Sequence, residues 1–316
     1  MAGATSETGV APRQTLEQAW WTGPLLAPSA ATLPQGHWLV EPYLYDVMAY
    51  GHYDRERALR STGASHDVGS LTYIEYGLAD RFTLGLIPRL GLHESRAGQD
   101  SAGFAVGDVT LQGALGLTRF RPGSWIPATS LVIGETFPTG KYDRLGGPGD
   151  GALGSGAYAT TLSLYSQTYF WMPSGRILRA RLDVSYSISH STPLHGVSVY
   201  GTSQGFAGRA QPGPSFVSDL AFEYSVTRSW VLAADINWEH DGNTRVEGRY
   251  AAPAGASSMP PAPLQDSGSS ELLYLAPALE YNWSARMGVI AGARVTAMGR
   301  NTTATVTPVA AVNMVF

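Results

Sequence analysis

The sequence predicts an all-β fold: a closed antiparallel transmembrane β-barrel of about twelve strands, with short periplasmic turns and longer outer loops. Three observations predict it. Apolar and polar residues alternate with period 2 from about residue 37 to the end. The alternating runs are about ten to thirteen residues long, which matches the ~9–11 residues a tilted strand needs to cross a bilayer and exceeds the five or six of a typical soluble strand. The links between runs alternate short and long, as turns at one rim and loops at the other would.

The runs fall at roughly 37–49, 68–78, 81–92, 106–120, 127–137, 157–171, 177–190, 215–226, 230–241, 271–283, 287–298 and 304–316. Successive side chains on a strand point to opposite faces, so each run sorts into an outward apolar and an inward polar set. The first puts Glu41, Tyr43 and Tyr45 inward, and the second Tyr73 and Glu75. The third places Gly85 and Arg89 inward, the fourth Asp108 and Gly116. In the sixth the inward set includes Tyr165, Tyr169 and Trp171. The seventh sets Leu178, Ala180, Leu182, Val184, Tyr186 and Ile188 against Arg179, Arg181, Asp183, Ser185 and Ser187. The eighth sets Phe216, Leu220, Phe222 and Tyr224 against Asp219, Ala221 and Glu223. The ninth opposes Trp230, Leu232, Ala234, Ile236 and Trp238 to Asp235, Asn237 and Glu239. The tenth opposes Leu273, Leu275, Pro277, Leu279, Tyr281 and Trp283 to Glu280 and Asn282. The eleventh turns Arg294 inward. The last brings Ala310, Val312, Met314 and Phe316 to one face. Aromatic residues sit at the ends of the apolar faces, as in interfacial girdles.

Short links lie at 78–81, 121–127, 172–176, 226–230 and 284–287. Long ones lie near 50–67, 93–105, 138–156, 191–214 and 242–270, and a shorter one near 299–303. An even strand number puts every short link on one side. In hydrocarbon each backbone polar group must be paired within the protein, so a helix-free chain that spans must close its sheet. The first strand is then expected to pair with the last.

Composition agrees. Charged residues are 15% of the 316-residue chain, Gly numbers 37, and there are 8 Trp and 16 Tyr. Net charge is −4, which argues against nucleic-acid binding. With no cysteine, disulfides and thiolate chemistry are excluded. The uncharged stretch at 19–40 is broken by Pro24, Pro28 and Pro34, and 151–175 carries Ser, Thr, Gln and Tyr, so neither reads as a membrane helix. Met1–Val10 shows no basic n-region or apolar h-region. An outer-membrane location therefore implies a native signal that is not visible in this chain.

Two domains are expected. Residues 36–316 form the barrel. Residues 1–35, with Trp20, Trp21, Leu25 and Leu26 and a possible short helix at Leu16–Trp21, form either a plug in the lumen or a disordered periplasmic lead-in. The alternation lines the lumen with nine acids (Glu41, Glu75, Asp108, Asp183, Asp219, Glu223, Asp235, Glu239, Glu280), four arginines (Arg89, Arg179, Arg181, Arg294), Asn237 and Tyr43. Such a lining either selects by charge and size, slightly favouring cations and neutral polar groups, or pairs off and closes the lumen. About eight strands leave an interior filled by side chains and 16–18 leave an open channel, so twelve implies a narrow passage or an interior site. The inward tyrosines could form a slot for a flat ligand or simply fill space.

Other motifs are weaker. Arg55, Arg57 and Arg60 in the first long loop could meet lipopolysaccharide phosphates or be a solvated charge run. The Gly146–Gly151 run lacks the strand, helix and Lys-Ser/Thr of a phosphate loop and reads as a flexible loop. The seven histidines (His37, His52, His66, His93, His190, His195, His240) form no H-E-x-x-H pair and no recognisable nucleophile arrangement of the outer-membrane phospholipase kind. No enzyme, metal or cofactor is expected.

Several stretches resemble a family of outer-membrane barrels, the meta-pathway phenol-degradation proteins. They are Leu39-Val40-Glu41-Pro42-Tyr43, Ile74-Glu75-Tyr76-Gly77-Leu78-Ala79-Asp80-Arg81 and Phe137-Pro138-Thr139-Gly140-Lys141-Tyr142-Asp143. Gly154-Ser155-Gly156-Ala157-Tyr158, Leu182-Asp183-Val184-Ser185-Tyr186-Ser187, Ala278-Leu279-Glu280-Tyr281-Asn282-Trp283 and the last strand match as well. The resemblance covers about residues 37–316, and Pro-Thr-Gly-Lys-Tyr-Asp is its most specific element. It implies an outer-membrane channel for passive uptake of small apolar or aromatic molecules. The alternative is a structural or interaction barrel with a closed lumen. The final strand, ending in Phe316, resembles the signal read by the barrel assembly machinery. Outer-membrane lipids, lipopolysaccharide, that machinery and a small-molecule substrate are the expected partners.

Overall fold

The alternation pairs into one continuous ladder. A computed structural model describes residues 12–93, 103–146, 152–251 and 265–316. Its strands are β1 (Trp38–Tyr53), β2 (Leu59–Ala79), β3 (Phe82–Ile87), β4 (Arg89–His93), β5 (Gly103–Val106), β6 (Val109–Thr118), β7 (Ala128–Phe137), β8 (Ala159–Trp171) and β9 (Ile177–Ser189), followed by β10 (Thr192–His195), β11 (Phe206–Gln211), β12 (Ser215–Ser225), β13 (Trp230–Asp241), β14 (Arg245–Tyr250), β15 (Gln265–Asp266), β16 (Ser270–Ser284), β17 (Met287–Arg300) and β18 (Thr302–Val315). Among the described residues no helix is long and apolar enough to cross a membrane.

The main sheet runs β1-β18-β17-β16-β13-β12-β9-β8-β7-β6-β3-β2, and β2 pairs back to β1. β3 with β4, and β5 with β6, are each one interrupted stave, so the sheet is a closed antiparallel barrel of 12 strands. The seam is made by the chain's two ends. Leu39 faces Val315 and Tyr45 faces Val309, and the Trp38 and Phe316 backbones exchange hydrogen bonds of 3.1 and 2.9 Å.

The outer wall is the apolar set. Leu182, Ile188, Leu232, Ile236, Leu275 and Leu279 are all exposed. Aromatic pairs rim both ends: Trp38–Tyr76 and Trp230–Tyr281 at the short-turn end, Phe216–Trp238 and Phe137–Tyr158 at the long-loop end. The polar parity turns inward, where Arg179, Arg181, Asp183, Asp219, Glu223, Asp235 and Glu280 are buried.

Three expectations change. Residues 50–67 are not a loop: β1 and β2 continue past the barrel as a hairpin that turns at 54–58. The third and fourth runs are each broken. Pro88 has no N–H to give the ladder, and opposite it Asp108 spends its carboxylate on the Gly140 amide (3.0 Å) and on the amide and hydroxyl of Ser155 (both 2.7 Å). The long links 191–214 and 242–270 contain a second sheet, β10-β11-β14-β15, whose core is Leu194, Phe206, Ala210 and Val246 with Tyr142, Tyr200 and Tyr250 against it. Residues 147–151 of the glycine-rich run lie outside the described residues.

Candidate functional site

Residues 14–34 run inside the turn end of the barrel and are held there mostly by their own backbone. The segment enters beside β9 and β12, where the Gln14 side chain donates to Ser225 Oγ (2.9 Å) and the Gln14 backbone carbonyl accepts from the Trp171 indole (2.7 Å). A single 3₁₀ turn, Leu16–Gln18, follows. Trp20 then lies under the Arg228 guanidinium at 4.2 Å and Trp21 under that of Arg179 at 4.6 Å.

The segment next climbs the wall. The Thr22 amide donates to Glu280 (2.7 Å) and its hydroxyl to Asn282 (2.9 Å). At the top of the climb the amides of Leu25, Leu26 and Ala27 all donate to the carboxylate of Asp235, at 3.1, 3.2 and 3.1 Å. Arg181 donates to the Ala27 carbonyl at 2.7 Å. Leu25 is buried against Ala233, Ala276, Ile290 and Ala311. The chain then descends: Ala30 donates to Gln167 (3.2 Å), Leu33 to Thr83 (2.9 Å), and Thr32 to the Asp80 carbonyl (3.0 Å). Prolines 24, 28 and 34 suit a path that needs few N–H groups of its own.

The lumen charges are arranged around this segment. Glu223 is buried between Arg179 and Arg181; it is hydrogen-bonded to both, with Arg181 Nε at 3.1 Å. Arg179 and Arg181 therefore do not front an open passage. Glu239 and Arg294 face each other at 3.9 Å toward the loop end, and Arg294 lies over the Tyr274 ring at 4.3 Å. Asp183, Asp219 and Asn237 sit side by side on β9, β12 and β13. Asp108 is taken up by the loop contacts described above. Gln167, Asn282 and Thr83 hold the segment but are uncharged, and an inventory of ionisable groups passes over them. Their inward parity was the available signal.

A cavity of about 370 Å³ opens above the segment, lined by Leu25, Leu26, Tyr43, Tyr45, Tyr73, Arg89, Arg294 and Val309. Tyr43 and Tyr73 meet edge to face at 5.8 Å. Below it, between residues 22–29 and the β1–β2 wall, the space narrows to about 90 Å³ among Glu41, Tyr43, Tyr73, Glu75, Arg181 and Asn313. A third space of about 390 Å³ lies at the turn end beside Ala30–Thr32, Gly116, Phe120, Gln167 and Tyr169. Of the predicted inward aromatics, Tyr43, Tyr45 and Tyr73 share the upper cavity. Tyr169 and Trp171 instead border the turn end.

Outside the barrel wall, burial pushes the Tyr200 hydroxyl up to about 12, with the Asp108 carboxylate adding to the effect. That hydroxyl donates to the Ser155 carbonyl at 2.7 Å. Of the loop arginines, Arg57 pairs with Glu271 and Arg60 with Asp54 (3.1 Å).

No curated protein matches the sequence. Among solved structures, the COG4313 outer membrane channel from Pseudomonas putida F1 is similar with a TM-score of 0.66 at 16% identity, over 92% of this chain and 100% of that one. At that identity the likeness concerns the fold. The P. putida toluene transporter TodX has a TM-score of 0.38 and 12% identity over 95% of each chain, and the Ralstonia pickettii toluene transporter TbuX 0.36 and 9% over 94% and 95%, too low for structural argument. A family model matches residues 62–307, most of the barrel, and the chain belongs to that family, described as "Putative MetA-pathway of phenol degradation".

Proposed function

We propose that the protein is an outer-membrane channel for passive uptake of small apolar or aromatic molecules, and that it performs no chemistry on them. The observation that carries this reading is the tyrosine-lined cavity above the plug. A cavity of roughly 150 Å³ suffices for benzene. The upper cavity, about 370 Å³, accommodates a single aromatic ring, and so does the 390 Å³ space at the turn end, whereas the 90 Å³ space directly below the upper cavity does not. Passage therefore requires residues 22–29 to move away from Tyr43 and Tyr73. Asp235, Glu280, Asn282, Gln167 and Thr83 hold a closed state from which the segment must be released. The exposed apolar wall with its aromatic rims supports a lipid environment, and lipopolysaccharide is its natural outer neighbour. The barrel assembly machinery is the folding partner that the last strand, ending in Phe316, fits.

The rival is a structural barrel whose lumen stays shut, and the hydrogen bonds of residues 14–34 favour it. Uptake of phenol or toluene into proteoliposomes separates the two. The channel reading expects uptake above empty vesicles, increased by deletion of residues 1–35. The closed reading expects none from the whole chain.

A further inference from the structure

We propose that the upper cavity is a binding site for a single-ring aromatic carboxylate, whose charge is held by Arg89 and whose ring lies against Tyr43, Tyr45 and Tyr73. The ligand class rests on the uptake reading above and narrows it.

The cavity differs in charge from the rest of the lumen. Buried acids outnumber buried arginines along the inner wall. Yet Arg89 and Arg294 line this space, and among the described residues no carboxylate does. The nearby acids are engaged or lie lower. Asp235 takes the amides of residues 25–27. Glu239 faces Arg294. Glu41 and Glu75 border the smaller space below. An aromatic cation would meet like charges here, and an aromatic anion opposite ones.

The two arginines are not equivalent. Arg294 has Glu239 at 3.9 Å and the Tyr274 ring at 4.3 Å. The Arg89 side chain is exposed and, among the described residues, has no hydrogen-bond or ion-pair partner. Its backbone is fixed, because the Arg89 carbonyl accepts from the Gly107 amide at 2.8 Å. A guanidinium presents two parallel N–H donors to one carboxylate.

Register brings that guanidinium to the tyrosines. Arg89 faces Leu71, and Leu71 faces Tyr43. Tyr73 is the next residue after Leu71 on the same face and therefore a diagonal neighbour of Arg89. Such neighbours are about 7–8 Å apart, within reach of long side chains. Tyr43 and Tyr73 already meet edge to face at 5.8 Å, an arrangement that a ligand ring extends. Leu25 and Leu26 form an apolar floor. The cavity, about 370 Å³, exceeds the roughly 150 Å³ that holds benzene, and the surplus leaves room for the carboxylate.

Equilibrium dialysis of the full chain in detergent against benzoate, benzyl alcohol and benzylammonium tests this. Benzoate should bind about tenfold more tightly than benzyl alcohol, the difference that one charge-assisted pair makes, and benzylammonium should not compete with it. Arg89→Gln should abolish the preference, bringing benzoate down to the level of benzyl alcohol. Arg55→Gln in the outer hairpin should leave the preference intact. Heat-modifiable gel migration confirms that each variant is folded, and the three-ligand comparison on the wild type decides even if Arg89→Gln does not fold. Equal binding of benzoate and benzyl alcohol, or a preference that survives Arg89→Gln, overturns the anion site and leaves the uptake reading standing. Binding of neither also overturns the site, and phenol uptake into proteoliposomes then judges the channel separately.

Discussion

The ring of Tyr45 lies across Gly69 on the neighbouring strand, so close that a Cβ on Gly69 would sit 2.3 Å from it. The glycine is what lets the ring lie flat on the wall beside the upper cavity. Gly69→Ala is therefore expected to drive Tyr45 off its position at a cost of about 1–3 kcal/mol, as overpacking does. It should also narrow the tyrosine-lined space. A lowered guanidinium refolding midpoint together with slower aromatic uptake checks both halves, and an unchanged midpoint would show that the ring relocates freely.

The Asp235 carboxylate is the single acceptor for three plug amides. Asp235→Ala should loosen residues 22–29 and raise conductance in planar bilayers, with faster hydrogen exchange at Leu25–Ala27. Hydrogen bonds to a charged group contribute about 1.5–3 kcal/mol each, enough to shift the closed population strongly. The same change in a chain lacking residues 1–35 should do little further.

Glu223 compensates two buried guanidiniums. Glu223→Ala is expected to destabilise the barrel by about 3–5 kcal/mol, since it leaves Arg179 and Arg181 uncompensated. Arg179→Met in the same chain should restore part of the loss. Denaturant refolding midpoints in detergent read both, and equal stability of wild type and Glu223→Ala would mean that water reaches the pair.

In the outer hairpin the Ala58 amide, then Arg60 and the Glu56 amide, hold the Asp54 carboxyl below the usual carboxylate range. A depressed folded value means the turn's stabilisation is complete above the unfolded value of about 3.9. It is lost as pH falls through the lower folded value. Amide exchange at Glu56 and Ala58 should therefore stay protected at pH 6 and accelerate only in strong acid. Asp54→Asn should remove that acid dependence.

The staves were legible because period 2 is a property of side chains, and lipid outside with polar groups inside makes it clean in runs such as 230–241. The breaks were harder. Pro88 is visible in sequence, but that Asp108 would turn to loop amides instead of the lumen depends on where residues 140 and 155 arrive. The second sheet was missed because Thr192–His195 and Phe206–Gln211 are too short for a periodic signal. The path of residues 14–34 was half legible. Inward parity exposed the acceptors Asp235 and Glu280, but the donors are backbone amides, which every sequence possesses. For the same reason Gln167 and Asn282 looked like ordinary polar wall residues. The sequence leaves Arg179 and Arg181 either lining a passage or paired off, because the partner that takes them up, Glu223, stands on a strand more than forty residues away.

Trp38 and Phe316 exchange backbone hydrogen bonds, which makes the earliest and the latest parts of the barrel immediate neighbours. The cylinder cannot zip shut before its final residue has been delivered. Residues 14–34 must by then already lie within the curling wall, or else thread in afterwards through the turn end. Timing of translocation, as well as contact energy, thus decides whether a newly assembled molecule starts life corked or vacant.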